Sequence, residues 1–330
     1  MNIPLLNQIL ETEPRYRQEQ VYRLLYKEAI ENWDSATTLP KQLRQRLVRE
    51  IPLSIAGVIQ LSEDKDSEKA IITFADGARA EAVLMRHNDG RNTVCVSCQI
   101  GCPLGCVFCA TGKMGFTRNL TEDEIVEQIL FFARRLKISN NRVSNVVFMG
   151  MGEPFLNYEH VINSIKFINR SNTFGIGIRH ISISTAGIVE GIERLAEEPL
   201  EINLALSLHA STDELRQKLM PIAKQYTLSV LLPTIDNYIK KTNRRVMFEY
   251  LMISGVNDSH ECAEQLAEIA RGRLCFINLI RYNPTGEFFP STPAAIEEFK
   301  SLLEENGITV IQRHRFGTEI KGACGQLIAG

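Results

Sequence analysis

From residue 93 onward the chain alternates between two periodicities, and no other feature restricts its fold as much. Short apolar runs at Thr93–Ser97, Asn145–Phe148, His180–Ser184, Asn203–Leu208, Val246–Met252 and Cys275–Ile280 read as strands. Between them, residues 122–136, 159–169, 188–197, 212–219 with 228–239, and 259–271 carry apolar side chains at helical spacing. Thr121 and Glu124 open the first of these helices with a capping box. A last helix over 293–306 and a strand over 309–312 close the chain. Six strand–helix repeats predict an α/β fold with a parallel sheet, either doubly wound or curled into a partial (β/α)6 barrel of the TIM type.

The first ninety residues read differently. Arg15–Ala29 and Lys41–Glu50, the latter opened by Pro40, have helical periodicity. Gly57–Leu61, Ala70–Phe74 and Ala80–Met85 alternate apolar and polar residues like a small antiparallel sheet. The expected organisation is a helical accessory domain over 1–55, a β-extension over 56–90 and the α/β domain over 91–330.

Unusual residues gather at the C-terminal ends of successive strands. A cysteine-rich loop follows the first strand, Gly150-Met151-Gly152-Glu153-Pro154 the second and Ser184-Thr185 the third. Ser207-Leu208-His209 follows the fourth and Asn283-Pro284 the sixth. Taken singly, a glycine pair is usually a turn, and a strand-end serine, histidine or asparagine is usually a satisfied cap. In parallel β/α folds, however, that edge of the sheet carries the active site.

Five of the eight cysteines, Cys95, Cys98, Cys102, Cys106 and Cys109, lie in one short stretch. Residues 1–17 mix Glu11, Glu13, Arg15 and Arg17 into their apolar start and lack the continuous apolar core of a signal peptide. No uncharged apolar run is long enough to span a bilayer, so a soluble cytoplasmic protein without membrane contact is expected. In a reducing compartment, clustered thiols point to metal or catalysis rather than disulfides. Cys102-x3-Cys106-x2-Cys109 supplies three thiolates from a loop with Gly101, Pro103 and Gly105. A four-iron cluster normally takes four thiolates, so three leave one iron open to a cofactor or substrate. The rival is zinc on Cys95-x2-Cys98 and Cys106-x2-Cys109, whose seven-residue spacer is shorter than structural zinc pairs usually have.

Cx3Cx2C with Phe108 before its last cysteine resembles the radical SAM superfamily. The string from Cys95 to Cys102, then Cys109-Ala110-Thr111-Gly112, then Ala323-Cys324-Gly325-Gln326-Leu327, resembles the RlmN/Cfr family of RNA adenosine methyltransferases over nearly the whole chain. The resemblance implies a radical SAM barrel holding a [4Fe-4S] cluster on Cys102, Cys106 and Cys109. It implies S-adenosylmethionine on Gly152, Glu153, Ser184, Ser207, Leu208, His209 and Asn283. It also gives roles to three catalytic residues: Cys324 accepts a methyl group, Glu81 deprotonates the adenine carbon, and Cys95 attacks Cys324 to release the product in a ping-pong reaction. Without the resemblance, Glu81 reads as a solvated strand acid and Cys324 as an inert thiol.

Which adenine carbon is modified divides that family. RlmN members methylate C2 of an adenosine near the peptidyl transferase centre of 23S rRNA and of one in the tRNA anticodon loop, whereas Cfr members methylate C8. Pro154 resembles the former, and Arg281-Tyr282-Asn283-Pro284 with Phe316-Gly317 the latter, while Lys321-Gly322 departs from both. C2 is the expected position. The implied partners are 23S rRNA, tRNA and an electron donor such as flavodoxin or ferredoxin, and the expected protein is a monomer with an RNA-contacting N-terminal domain. A net charge of -2 leaves RNA contact to local basic patches, the candidates being Lys41–Arg49, Lys240–Arg245 and Arg313–Arg315. Another radical SAM enzyme and a zinc-containing RNA-binding protein are the remaining alternatives.

Overall fold

The structure, a computed structural model, describes residues 1–286, 288–314 and 316–328. Three helices come first: α1 (Ile3–Leu10), α2 (Arg15–Tyr22), which runs on as a π turn over Arg23–Lys27, and α3 (Lys41–Glu50). Leu6, Ile9, Val21, Leu25, Trp33, Leu43 and Leu47 give this segment its own core, completed by Val126, Leu130 and Phe167 from later helices. Arg134 fastens it from below, donating to the carbonyls of Leu53 (2.6 Å) and Ile30 (2.9 Å).

Next come β1 (Ala56–Leu61), β2 (Ser67–Thr73), β3 (Arg79–Arg86), β4 (Asn92–Cys95) and the short β5 (Gln99–Gly101). A one-turn helix α4 (Ala110–Lys113), β6 (Phe116–Asn119), α5 (Glu122–Ile138) and β7 (Asn145–Phe148) follow. The repeat then proceeds through α6 (Tyr158–Asn169), β8 (Ile181–Thr185), α7 (Val189–Glu197), β9 (Asn203–Ser207), α8 (Asp213–Leu219), α9 (Leu228–Thr242) and β10 (Val246–Met252). It ends with α10 (His260–Ala270), β11 (Cys275–Arg281), α11 (Pro293–Glu305) and β12 (Val310–Gln312).

One ten-stranded sheet runs in the order β1-β2-β3-β4-β7-β8-β9-β10-β11-β12. Every pairing from β4 to β12 is parallel, and those among β1 to β4 are antiparallel. The parallel part is therefore open at β12, as a partial barrel is. Two expectations need correction. The β-extension is not a separate small sheet: β3 pairs with β4, setting Val83 opposite Cys95, so 56–86 lengthens the main sheet. The closing strand over 309–312 is a seventh parallel strand, paired with β11. Its partner lies more than thirty residues earlier in the chain, a pairing that local periodicity does not reveal.

Candidate active site

The parallel register brings the ends of β7, β8, β9, β10 and β11 to one edge, where they surround a cleft of ≈ 160 Å³. Cys102, Cys106 and Cys109 line it, together with Gly152, Glu153, Ser184, Ser207 and His209. The cysteine loop is braced on both sides. The β5–β6 hairpin, which the sequence did not reveal, carries Cys102, whose amide donates to the Gly115 carbonyl at 2.9 Å. Only glycine fits at 101, since its φ is +74° and a Cβ there would lie 1.9 Å from the Gly115 carbonyl oxygen. On the other side, the Val107 amide donates to the carbonyl of Leu219, the last residue of α8 (3.1 Å).

The loop after β7 needs glycine for similar reasons. Gly152 has φ +101°, and a Cβ there would stand 2.5 Å from that of Gln99. The next residue, Glu153, is buried, and its carboxylate accepts from the amides of Phe155 (3.1 Å) and Ala186 (2.8 Å). Burial nevertheless pushes its carboxyl up to about 7, the amides acting in opposition. The hydroxyls of Ser184 and Ser207 lie 3.3 Å apart at adjacent strand ends. His209 sits in the left-handed region, with φ 58°, and its Nδ1 accepts from the Leu251 amide at 3.2 Å. Burial first, and Arg216 second, hold its pKa down to about 3, so the ring is neutral. Leu208 is fully buried and its amide donates to the Glu249 carbonyl, a contact that shapes the strand end rather than the cleft wall.

Three thiols without imidazole or carboxylate among them are the donor set of an iron–sulfur cluster. Burial raises Cys102 to about 12 and Cys106 further, so binding must displace the thiol protons. The zinc alternative lacks its ligand set: Cys95 and Cys98 do not line the cleft, and Cys98 is a core residue whose thiol meets the Met151 carbonyl. Among the described residues no three His, Cys, Asp or Glu side chains converge on a single metal position. The cleft also holds Glu249 Oε1, a buried oxygen that accepts no hydrogen bond and has Arg313 Nη1 at 3.7 Å as its ion-pair partner. The residues present thus fit a cluster and a polar cofactor beside it.

A second, narrower cavity adjoins the first, and Cys324, Arg313, Met149, Ile280 and Leu327 line both. Cys95 faces this second cavity from β4, with Val83, Met85, Asn283 and Phe316. Burial raises Cys95 to about 12, with the neighbouring Cys324 adding to the effect and Arg313 opposing it. The segment carrying Cys324 is docked on the cysteine loop. Asn283 donates to the Cys324 carbonyl (3.1 Å), the Ala110 amide to Gly325 (2.7 Å) and the Thr111 hydroxyl to Leu327 (2.7 Å).

Glu81 lies on the same face of β3 as Val83 and Met85 but lines neither cavity. Its carboxylate is buried, pairing with Lys69 Nζ (3.0 Å) and accepting from the Ile328 amide (2.8 Å). Far from a solvated strand acid, it is covered by the end of the described chain. Arg313 also departs from expectation. As a candidate phosphate contact it should be exposed, yet it turns inward to Glu249 (3.7 Å) and is flanked by Cys324 and Cys95, Cys324 contributing most to raising its pKa. Its position one residue past β12 was the available signal, since that strand end belongs to the same edge. Arg315 lies outside the described residues. In the other two patches Arg46 and Arg49 pair with Glu50 and Lys241 with Glu197.

The sequence pattern of the radical SAM superfamily matches residues 96–266. Over 320 residues the chain is 45% identical to the probable dual-specificity RNA methyltransferase RlmN of Symbiobacterium thermophilum, covering 96% of this chain and 86% of that protein. It is 43% identical over 324 residues to the ribosomal RNA large subunit methyltransferase N of Nitrosopumilus maritimus, covering 95% and 92%. The crystal structure of a radical SAM methyltransferase from Sphaerobacter thermophilus superposes with a TM-score of 0.94 at 41% identity, covering 100% of this chain and 98% of that one.

Proposed function

The chain belongs to the RlmN RNA methyltransferases of the radical SAM superfamily, and from that membership we propose that it methylates C2 of an adenosine in 23S rRNA, at the peptidyl transferase centre, and in the tRNA anticodon loop. The observation that carries this reading is the pair of cavities: one lined by the cysteine triad, the other by Cys95 and Cys324, with Cys324 on the wall between them.

Cys102, Cys106 and Cys109 would hold the cluster, and Gly152, Glu153, Ser184, Ser207 and His209 would bind S-adenosylmethionine beside it in the cleft they line, whereas Leu208 would act only through the strand end it braces and Asn283, which faces the second cavity, through its bond to the Cys324 carbonyl. When bound, these cofactors supply the methyl group and the one-electron chemistry that makes its carbon reactive, which an aromatic C–H carbon requires because it is not nucleophilic. The chain's own residues do the rest. Cys324 carries the methyl as a thioether and presents it to the second cavity, where the base binds. Glu81 takes the proton from the base carbon. Cys95 Sγ, as its thiolate, then attacks Cys324 Sγ, forming a disulfide as the sulfur–carbon bond breaks, and the released carbon keeps the bonding electron pair and takes a proton to become the methyl group. Both oxygens of Glu81 are engaged, so Leu327–Ile328 must withdraw before it can serve as a base. An external donor would then reduce the Cys95–Cys324 disulfide to restore both thiols.

Mass spectrometry of tryptic peptides tests the reading. After anaerobic reconstitution with iron, sulfide and S-adenosylmethionine, the peptide containing Cys324 should gain one methyl group. A Cys324 that stays unmodified before RNA is added, in protein that then methylates RNA, would refute it.

A further inference from the structure

Arg216 on α8 is among the largest fully buried side chains of the protein. It donates to two carbonyls, Ala186 (2.6 Å) and Tyr226 (3.0 Å), while its Nε is buried without a partner. No ion pair with a carboxylate involves it among the described residues. The nearest acid on its own helix, Asp213, accepts instead from the Leu228 amide at 2.7 Å. A buried guanidinium without an anion is costly, and proteins ordinarily pair such a group.

The surroundings indicate where its counter-charge comes from. Residues Leu215, Leu219 and Met220, which flank Arg216, pack in one cluster with Cys106, Phe108 and Cys109. The bond from Val107 to Leu219 fixes the cysteine loop to the end of the same helix. Once ligation makes it a thiolate, Cys106 is also the largest favourable electrostatic neighbour of Arg216, ahead of Asp213. Arg216 does not line the cleft itself, although the Ala186 carbonyl it bonds belongs to a cleft residue. It sits on the helix that braces the cysteine loop.

We propose that Arg216 is the buried counter-charge of the iron–sulfur cluster on Cys102, Cys106 and Cys109 and that it raises the reduction potential of that cluster. The inference rests on the triad holding the cluster. A cluster on three thiolates is anionic and gains a further negative charge on reduction, so a fixed cation near it favours the reduced form. Arg216 is a positioning and tuning residue, not a catalytic one.

The test compares wild type with Arg216→Gln, Arg216→Met and Arg216→Lys, each reconstituted anaerobically without S-adenosylmethionine and titrated by electron paramagnetic resonance. The two neutral variants are expected to reduce with an equilibrium constant about tenfold lower, ~59 mV more negative for a one-electron couple. The lysine variant should stay near wild type. Loss of cluster binding in both neutral variants, with retention in the lysine variant, would equally support the assignment. Unchanged potentials in the neutral variants would overturn it, as would equal effects in all three, which would show that the two carbonyl contacts are the whole role. Wild-type protein that binds no iron would instead refute the cluster on the triad, which is a separate failure.

Discussion

Cys95 and Cys324 face one cavity from different ends of the chain, and neither is oriented there by its own neighbours alone. Cys95 is placed by the antiparallel pairing of β3 with β4, Cys324 by three hydrogen bonds to the cysteine loop and to Asn283. If Cys95 resolves an intermediate held by Cys324, Cys95→Ala should accumulate protein covalently joined to RNA, seen as a shifted band on a denaturing gel that nuclease removes. Absence of the band in a variant that still turns over would remove Cys95 from the mechanism. His209 offers a test of the site's electrostatics. Its folded pKa of about 3 lies below the ordinary 6.5, so the neutral ring contributes stability above pH 6.5 that is lost as pH falls toward 3. His209→Asn, which tolerates a positive φ, should remove up to one proton's worth of slope, ~1.4 kcal/mol per pH step, from the stability of the cluster-free protein in that window. Identical slopes in the two proteins would contradict the burial of a neutral ring.

At the scale of elements, the segment carrying Cys324 behaves as a docked strap. Thr111 on α4 holds Leu327, and Ile328 covers Glu81. Removing the Thr111 bond with Thr111→Val should weaken docking by about 1 kcal/mol, equivalent to a roughly fivefold faster alkylation of Cys324. An unchanged rate would show that the strap is held elsewhere. What the sequence revealed at this scale follows from range. α3 matches its expected span because Pro40 and the Leu43–Leu47 stripe are local signals, and the Thr121–Glu124 capping box is present in the structure. The β5–β6 hairpin was hidden because its first strand is embedded in the cysteine motif and only Gly101 and Gly115 mark its turns.

Across the whole molecule, the order of strands decides which residues meet. Strand-end motifs from β4, β7, β8, β9 and β11 converge because the sheet is parallel, and that edge was readable from periodicity alone. Arg313, Glu249 and Arg216 were not readable. Their surroundings depend on strands and loops far away in sequence, and a charged residue considered singly looks like a solvated one. Glu81 is the intermediate case, since its strand was legible while its ion pair with Lys69 required the register of β2 against β3. The proposed function requires that a methyl group pass through Cys324 to C2 of adenine. Nucleoside mass spectrometry of 23S rRNA and tRNA, incubated anaerobically with the reconstituted wild type and with Cys324→Ala, tests it most directly. The account predicts 2-methyladenosine with wild type and none with the variant, whereas 8-methyladenosine, or any methylation surviving the loss of Cys324, would contradict it.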